Sequence, residues 1–289
     1  MPKVLSNANI APSVFRMVVE APDVARYRKA GQFVIVRPKA GSERIPLTIA
    51  DADTEAGTIT LVYQVVGKTT GVMSLIKDGG ELPDVAGPLG RATHIEKVGT
   101  VVCVGGGIGI APIHPIAQAL KDAGNTVISI LGVRSKNLLI LKEEMTRASH
   151  RVVVVTDDGS AGEKGFVTDA LKKLLDDGEK VDQVVAIGPP IMMKMVSVLT
   201  KDYEVPTLVS LNTIMVDGTG MCGGCRVTVG GQVQFVCVDG PEFDGHLVDF
   251  DEMMNRQNMY KEHETAAYRA FKEKHRCKLA QRNAEARSE

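Results

Sequence analysis

The strongest constraint on the fold is a glycine-rich stretch at residues 217–237. Cys222 and Cys225 lie three positions apart in this stretch, and Cys237 follows twelve residues after Cys225. Two consecutive glycines interrupt the alternating pattern between Cys225 and Cys237, which is typical of a β-hairpin whose two turn residues both need a positive φ. A hairpin here brings all three sulfurs together, so the sequence predicts a metal site.

The two-glycine turn also sets the register of the hairpin. Val229 is expected to pair with Gln232 across a two-residue turn. Counting back along both strands places Cys225 opposite the residue before Cys237. The second strand is expected to run from Gln232 to Val238.

The spacing of the ligands favours a [2Fe–2S] cluster. Asp217 stands five residues before Cys222, where a fourth ligand is needed, and no histidine lies nearby at a zinc-finger spacing. With a cysteine at position 217 the loop would read C-x4-C-x2-C followed by a later cysteine, which is the plant-type [2Fe–2S] spacing. The glycines allow backbone N–H groups to approach the sulfurs. Two alternatives to the cluster are a structural zinc and three unliganded thiols, and the alternative role for Asp217 is that of a turn aspartate before glycine.

Composition and charge restrict the class of protein. A chain of 289 residues allows two or three domains, and its formal net charge of −1 gives no electrostatic case for binding nucleic acid. The sequence shows neither a signal peptide nor a long apolar segment. Five cysteines, three of them clustered, fit a reducing compartment better than a disulfide framework. We therefore expect a cytoplasmic protein that binds neither nucleic acid nor a membrane.

Residues 1–98 are predicted to form an antiparallel β-barrel, because short alternating runs are separated by prolines and glycines. The clearest strands are predicted at residues 14–19, 31–37 and 57–64. Three places in this region are candidates for ligand binding, the last of them a polar turn that leads into a helix N-terminus and offers N–H groups to a phosphate. These candidates are Arg44, Pro46, Leu47 and Thr48 at a strand start, Val62, Tyr63 and Gln64 in a strand, and Thr69 and Thr70 in the turn.

Residues 99–205 are predicted to form a doubly wound sheet of parallel strands. A buried-strand run at residues 100–104, which includes Cys103 as a core residue, is followed by a glycine turn and a helix, the order of a phosphate-binding βα unit. Three further buried strands are predicted at residues 126–132, 151–156 and 183–187, with helices between them. Ligands of such sheets bind at the carboxyl ends of the strands. The candidates there are Gly105, Gly106, Gly107, Gly109, Arg134, Asp157, Gly188 and Pro189.

The remaining sequence divides into a cluster segment at residues 206–248 and a helical tail at residues 249–289. One helix is expected over residues 250–271, packed on this chain or on a partner subunit through an apolar stripe. The stripe would consist of Met253, Tyr260, Ala267 and Phe271. The charge-rich end from Lys272 onwards, with Cys277, is expected to be solvated and partly disordered.

The order of these segments resembles the ferredoxin–NADP reductase superfamily over residues 2–245. The most similar branch contains the electron-transfer subunit of dihydroorotate dehydrogenase. Each candidate group has a counterpart in the motifs of that family. The resemblance is carried by Gly31, Gln32 and Phe33 before the flavin site, Pro46, Leu47 and Thr48 in the flavin motif, Val62, Tyr63, Gln64, Thr69 and Thr70 at FAD-binding positions, Gly105 to Pro112 in the nicotinamide nucleotide loop, and Gly188, Pro189, Pro190, Met192 and Met193 at its end.

Two departures from the family pattern refine the resemblance. Arg44 lies four residues before Thr48 rather than three, and Asp217 stands where the dihydroorotate dehydrogenase subunit has cysteine. Together with the C-terminal tail, Asp217 makes the chain similar to the family of small subunits of NADH-dependent ferredoxin:NADP oxidoreductases, also described as sulfide dehydrogenase β or ferredoxin–NADP reductase α subunits.

The resemblance implies an oxidoreductase subunit with FAD, one [2Fe–2S] cluster and NAD(H). It also implies a heterodimer with a larger flavin and iron–sulfur subunit that handles ferredoxin and NADP(H) and bifurcates electrons. Thr48 would form a hydrogen bond near the reacting edge of the flavin, and hydride transfer needs no acid–base pair. The alternatives are the electron-transfer subunit of an NAD-dependent dihydroorotate dehydrogenase and a non-catalytic regulator that kept the fold.

Overall fold

A computed structural model of the chain describes residues 1–276. Residues 277–289, with Cys277 and most of the charge-rich end, lie outside the described residues. Within the described part, no helix is long and apolar enough to cross a membrane.

The N-terminal part is a six-stranded antiparallel sheet with the strand order β1-β2-β5-β4-β3-β6. Backbone bonds from Val4 to Gly79 and Gly80, and from Leu82 to Pro2, join its two edges and close it into a barrel. Alternate side chains of each strand fill the interior, as expected for strands with one buried face. The strands are β1 (Val4–Ala11), β2 (Val14–Glu20), β3 (Phe33–Arg37), β4 (Ile45–Asp53), β5 (Thr58–Gln64) and β6 (Asp84–Leu89), and the helices are α1 (Pro22–Tyr27) and α2 (Lys68–Ser74).

The second sheet has seven strands in the order β10-β9-β8-β7-β11-β12-β15, parallel except for the last pair. Its strands are β7 (Thr100–Gly106), β8 (Thr126–Val133), β9 (Arg151–Thr156), β10 (Glu163–Lys164), β11 (Gln183–Ile187), β12 (Thr207–Ser210) and, later in the chain, β15 (Glu242–Asp244). Its helices are α3 (Ile110–Asp122), α4 (Lys142–Ala148), α5 (Val167–Asp176) and α6 (Pro190–Asp202). The predicted parallel sheet is present, and β12 and β15, from the predicted cluster segment, extend it.

The barrel and the second sheet share one apolar core. Val14 and Ala50 of the barrel are buried in the same cluster as Ile110 and Ala111 at the start of α3. His114 of α3 also lies with its Nδ1 atom 3.3 Å from the carbonyl oxygen of Ala50. The barrel is therefore fixed against the helix that follows the glycine turn.

The cluster segment contains a hairpin of β13 (Arg226–Val229) and β14 (Gln232–Phe235), then the short helix α7 (Val236–Asp239). The expectation that the second strand runs on to Val238 is wrong, because the carboxylate of Asp239 accepts a hydrogen bond from the backbone N–H of Phe235 at 2.8 Å and turns the chain into a helix. Strand β14 therefore ends at Phe235.

The C-terminal part has two helices, α8 (Phe250–Gln257) and α9 (Lys261–Lys274), so the single helix expected over residues 250–271 is wrong. The last turn of α8 tightens, since the N–H of Asn258 donates to Asn255 rather than one residue further back. Tyr260 is consequently exposed, and the expected stripe is divided.

The two buried members of that stripe pack in different places. Met253 belongs to the core beside the second sheet, whereas Phe271 of α9 packs against Gly71 of α2 on the barrel. The tail therefore packs on this chain through two separate contacts.

Candidate functional site

The predicted nucleotide loop lies at the switch point of the second sheet. From β7 the chain continues outward on one side to β8, while β11 lies on the other side of β7 with Ile187 paired to Gly105. Ligands of open parallel sheets bind in the crevice at this point, outside the carboxyl ends of the strands. Gly107, at φ +56°, is open there, because an added Cβ would meet no atom of residues 1–276 within 4 Å.

Close backbone packing brings the two nucleotide segments together. A Cβ on Gly109 would lie 2.2 Å from the carbonyl oxygen of Ile187 and 2.9 Å from the Cα of Gly188, so only glycine fits. Gly106 meets the Met192 sulfur in the same way. The structure thus joins the predicted set Gly105, Gly106, Gly107, Gly109, Gly188 and Pro189 in one place.

Asp157 and Arg134 lie at the same edge but further along it. The N–H of Asp157 donates to Val133 and the N–H of Asp158 donates to Arg134, both at 3.2 Å, so the ends of β8 and β9 are tied together. Since β8 separates Asp157 from β7, this carboxylate lies beside the glycine loop rather than within it.

The predicted flavin face starts at β4. Thr48 pairs with Phe33, and residues 45–48 are all half-buried. The hydroxyl of Thr69 donates to Glu43 at 2.5 Å. The hydroxyl of Thr70 accepts the N–H groups of Val66 and Gly67, each at 3.1 Å. Both threonine hydroxyls therefore already form hydrogen bonds with residues of this chain.

Tyr63, one of the predicted FAD-binding residues, turns its side chain into the barrel. Its ring is 1% exposed and stacks on Phe15, and its hydroxyl donates to Asn7 Oδ1 at 3.0 Å. The side chains of its neighbours Val62 and Gln64 point to the opposite face of the sheet. The side chain of Tyr63 belongs to the core, so a contact of this residue with a ligand would involve its backbone.

Arg44 points towards the cysteine loop. Its Nη1 forms an ion pair with Asp84 on β6, and its Nε donates to the carbonyl oxygen of Val216 at 2.8 Å. Val216 directly precedes Asp217. The arginine that the sequence suggests for a flavin motif therefore links the barrel to the predicted iron ligands.

The cysteine loop presents its candidate ligands in two pairs. The predicted hairpin register is confirmed, since the N–H of Val236 donates to Cys225 and Val229 pairs with Gln232. That register places the sulfurs of Cys225 and Cys237 3.2 Å apart.

The second pair is formed upstream in the same loop. The carboxylate of Asp217 accepts the N–H groups of Cys222 and Thr219, both at 2.9 Å. Within residues 1–276, no three His, Cys, Asp or Glu side chains converge on a point that could hold one metal ion. The expectation that the hairpin brings all three sulfurs together is wrong, because the N–H of Cys222 is bound by Asp217 while the sulfurs of Cys225 and Cys237 face each other. The loop therefore offers two pairs of ligands rather than a single cage of four.

The electrostatics of the loop differ between the pairs. The N–H groups of Thr219 and Cys222 lower the pKa of Asp217, so this carboxyl is ionised at neutral pH. Burial, with the neighbouring Cys225 sulfur, raises the pKa of the Cys237 thiol to about 12, while the N–H of Gly220 acts in the opposite direction. A metal ion that binds these sulfurs must displace their protons. The directed N–H of Gly220 matches the expected role of glycine in this loop.

Two contacts around the site were not predicted. Arg256 of α8 reaches the carbonyl oxygen of Gly224 in the cysteine loop, and the hydroxyl of Thr93 donates to the buried carboxyl of Glu242. Each contact joins segments that are distant in sequence, so no local spacing could have signalled it.

Two segments of the chain match family models. Residues 103–198 match the oxidoreductase NAD-binding domain, and residues 212–249 match the iron–sulfur cluster binding domain of dihydroorotate dehydrogenase B. These matches confirm the predictions of a nicotinamide nucleotide domain and of an iron–sulfur segment.

Longer similarities extend over nearly the whole chain. An electron transfer subunit homolog of dihydroorotate dehydrogenase B (NAD(+)) from Thermotoga maritima is 50% identical over 93% of this chain and 95% of its own length. The electron transfer subunit of dihydroorotate dehydrogenase B (NAD(+)) from Desulforamulus reducens is 36% identical over 83% of this chain and 94% of its own. A chain from the structure of the NADH-dependent reduced ferredoxin-NADP oxidoreductase, described for flavin-based electron bifurcation, superimposes with a TM-score of 0.90 and 47% identity, covering 94% of this chain and 98% of that one.

Proposed function

Because the chain belongs to the family of dihydroorotate dehydrogenase B electron transfer subunits and their homologues, we propose that it is an electron-transfer flavoprotein subunit. It moves electrons between NAD(H), FAD and a [2Fe–2S] cluster as part of an NADH-dependent ferredoxin:NADP oxidoreductase. The superfamily resemblance seen in the sequence is confirmed by these relatives.

One observation carries the proposal. The same chain sets a loop with two pairs of metal ligands against a barrel, and fixes that barrel against the helix that follows a glycine loop. A subunit that accepts hydride and passes on single electrons needs a nucleotide site and a redox centre, and this chain offers candidates for both. A regulator that kept only the fold would not need paired thiols beside a docked arginine.

The nucleotide would be held at the switch point of the second sheet. Gly107 leaves open space there, and the close packing of Gly109 on Ile187 lets the backbone lie near a ligand. Gly105, Gly106, Gly188 and Pro189 complete this cradle, with Asp157 beside it. We propose NAD(H) rather than NADP(H) as the ligand, which follows the resemblance rather than a charged contact.

The flavin would lie on the half-buried face of β4, against Pro46, Leu47 and Thr48. Two features of this face fit a bound group. An added Cβ on Gly67 would meet no atom of residues 1–276 within 4 Å, and the buried hydroxyl of Ser42 has no hydrogen-bond partner there. Thr48 would orient the ring system. The rest of the face would be lined by Val62, Gln64, Thr69, Thr70 and the backbone of Tyr63.

The cluster would be held by Asp217 and Cys222 on one side and by Cys225 and Cys237 on the other. Cysteine thiolates are the usual ligands of such clusters, and the buried sulfur pair with a directed N–H suits a negatively charged group. A zinc site fits less well, because structural zinc takes four ligands around one point.

When bound, the nicotinamide, flavin and cluster supply hydride transfer, the change from paired to single electrons, and single-electron transfer. The residues of this chain bind and orient these groups. Close glycine packing fixes the nucleotide cradle, and Arg44 fixes the cysteine loop on the barrel. The apolar core between barrel and sheet excludes water from their interface.

The proposal also includes a larger flavin and iron–sulfur subunit as heterodimer partner, which would handle ferredoxin and NADP(H). Relatives of this chain are named as electron transfer subunits, and the superimposed structure is that of a ferredoxin-NADP oxidoreductase. We propose electron bifurcation for the assembled complex only.

The test is cofactor analysis of this subunit alone, purified without oxygen, followed by its titration with NADH and NADPH. We expect one FAD and one two-iron cluster per chain, and flavin bleaching by NADH. Zinc in place of iron, or protein without flavin, would overturn the proposal. A clear preference for NADPH would overturn its nucleotide part.

The second candidate is the electron transfer subunit of an NAD-dependent dihydroorotate dehydrogenase, because relatives with 36% identity over most of their length have that name. Dihydroorotate oxidation by the purified native complex would establish it. Ferredoxin-dependent reduction of NADP by the same complex would support the first candidate instead.

A further inference from the structure

Two arginines from distant parts of the chain hold the cysteine loop, one just before Asp217 and one just before Cys225. Arg44, which directly precedes β4, donates to the carbonyl oxygen of Val216, the residue before Asp217, at 2.8 Å. Arg256 of α8 donates through Nη2 to Gly224, the residue before Cys225, at 3.5 Å.

The Arg44 contact forms part of a wider docking of the loop on the barrel. A Cβ on Gly218 would lie 2.7 Å from a Leu89 side-chain atom and 2.9 Å from an Ile35 side-chain atom. Gly218 also has φ +79°, which favours glycine for a second reason. Gly218 is thus pressed against β3 and β6, while Val216 is held by Arg44.

The two arginines differ in their charge partners. Arg44 forms an ion pair with Asp84, whose carboxylate also lies 3.7 Å from Nε of Arg37, so the positive charge of Arg44 is partly balanced. Arg256 forms no ion pair within residues 1–276, and its buried Nε has no hydrogen-bond partner there. The helix that carries it is anchored, since Met253, on the same face three residues earlier, is 1% exposed.

We propose that Arg44 and Arg256 are positioning residues of the iron–sulfur loop, and that Arg256 also strengthens the affinity of the cluster for an electron. This inference rests on the proposed function, because it needs a cluster in the loop. Reduction adds negative charge to the cluster, and an unbalanced cation nearby stabilises that charge. Arg44 contributes less to the potential, since Asp84 offsets its charge.

The electrostatic part is tested by redox titration of the full chain purified without oxygen, with iron and labile sulfide measured in each variant. We expect Arg256→Gln to keep its iron and to lower the cluster midpoint by about 59 mV, which corresponds to a tenfold weaker electron affinity. Arg256→Lys should restore most of this loss. An unchanged midpoint in Arg256→Gln with a full cluster would overturn this part.

A second variant, Asp84→Asn, tests the same idea without touching the loop. It leaves the charge of Arg44 unbalanced, so the midpoint should rise. A midpoint that falls or stays constant in Asp84→Asn would contradict the electrostatic argument. This outcome remains decisive if Arg256→Gln does not fold.

The positioning part is read from the electron paramagnetic resonance spectrum of the reduced cluster. We expect Arg44→Gln to change the spectrum while shifting the midpoint less than Arg256→Gln does. Arg44→Lys should not rescue it, because lysine cannot contact Asp84 and Val216 in the planar geometry of a guanidinium. A parental spectrum in Arg44→Gln would overturn this role. Wild-type protein without a two-iron cluster would refute the proposed function itself, whereas a normal wild type with unresponsive variants refutes only this inference.

Discussion

The two glycine-rich loops of this protein are placed by different forces. The nucleotide loop follows β7 and packs backbone against backbone on β11, so the register of two adjacent strands fixes it. The Asp217 end of the cysteine loop lies outside any strand and is tied to the barrel by Arg44, 172 residues away in sequence from its partner Val216. Strand register is a collective property, whereas a guanidinium contact depends on one side chain.

This difference affects how each site can be changed. Moving the nucleotide loop requires moving a buried strand, which a close-packed interior resists. The position and charge around the cysteine loop can change by one substitution at Arg44 or Arg256 without altering the core. The redox properties of the chain are therefore easier to adjust than its nucleotide cradle.

The largest effect is expected from removing one sulfur of the buried pair. Cys237→Ser should lose most of the iron and the visible absorption of the cluster, because a hydroxyl is a poor replacement for a thiolate ligand. Iron and sulfide analysis of anaerobically purified protein measures this.

Cys103→Ser is the matched control. Cys103 lies inside β7 and in a different apolar cluster from Cys225 and Cys237, so it is no ligand. The control should keep its iron and lose only about 1–3 kcal/mol of stability from a buried hydroxyl. Equal loss of iron in both variants would contradict the ligand assignment.

The next effect concerns the nucleotide loop. Gly109→Val places a Cβ 2.2 Å from the Ile187 carbonyl oxygen, so the loop must separate from β11. We expect a loss of about 3 kcal/mol in stability, as for overpacked cores, and at least about tenfold weaker NADH binding. Thermal unfolding and NADH titration measure these changes.

Gly178→Asn provides the comparison, since an added Cβ there meets no described atom within 4 Å and asparagine tolerates the positive φ of this position. It should leave NADH binding unchanged. If Gly109→Val binds NADH normally, strand register does not control this loop, and the contrast between the two sites is lost.

The sequence predicted what depends on local pattern. Strands 151–156 and 183–187 agree with β9 and β11 residue for residue, because short apolar runs bounded by polar residues are distinctive. The hairpin register at Cys225 was also correct, since two glycines allow only one tight turn.

Long-range contacts were not predictable. Nothing near Arg44 indicates Val216 as its partner, and nothing near Tyr63 shows that its hydroxyl meets Asn7 inside the barrel. The break at Asn258 was missed because neither glycine nor proline marks it. Ligand types could therefore be read from the sequence, but not which side chains hold them in place.

A smaller effect is expected at Asp217. Asp217→Cys should retain the cluster with a lower midpoint, because thiolate is a more covalent donor to ferric iron than carboxylate oxygen, and non-thiolate ligands raise the potential in Rieske centres. The midpoint is measured by redox titration. If Asp217→Ala leaves both spectrum and midpoint unchanged, Asp217 is only a turn residue that binds the N–H groups of Thr219 and Cys222.

The smallest effect concerns the joint between the two regions. Glu242 lies on β15, which pairs with β12 in the sheet and follows the cluster segment. Its carboxyl accepts a hydrogen bond from Thr93 at 2.5 Å and lies against Gly31, where an added Cβ would be 2.9 Å from Oε1. The carboxyl of Glu242 thus lies where the second sheet meets Gly31, before β3 of the barrel, and Thr93, between β6 and β7.

Burial raises the pKa of Glu242 to about 7, and the hydroxyl of Thr93 offsets part of this change. The folded protein therefore holds a proton there that the unfolded chain releases at lower pH. Stability from the neutral carboxyl is complete below the ordinary glutamate pKa and is lost as the pH rises through about 7. We expect the ionisation of this group to lower the free energy of unfolding by about 2 kcal/mol between pH 5 and pH 8, which is less than the full pKa shift would give. Glu242→Gln should remove that pH dependence, whereas Glu55→Gln, at an exposed position, should keep it. Thermal unfolding of the three proteins across this range decides the matter: a Glu242→Gln curve parallel to the parent's would show that the joint, like the nucleotide loop, depends on packing rather than on a proton.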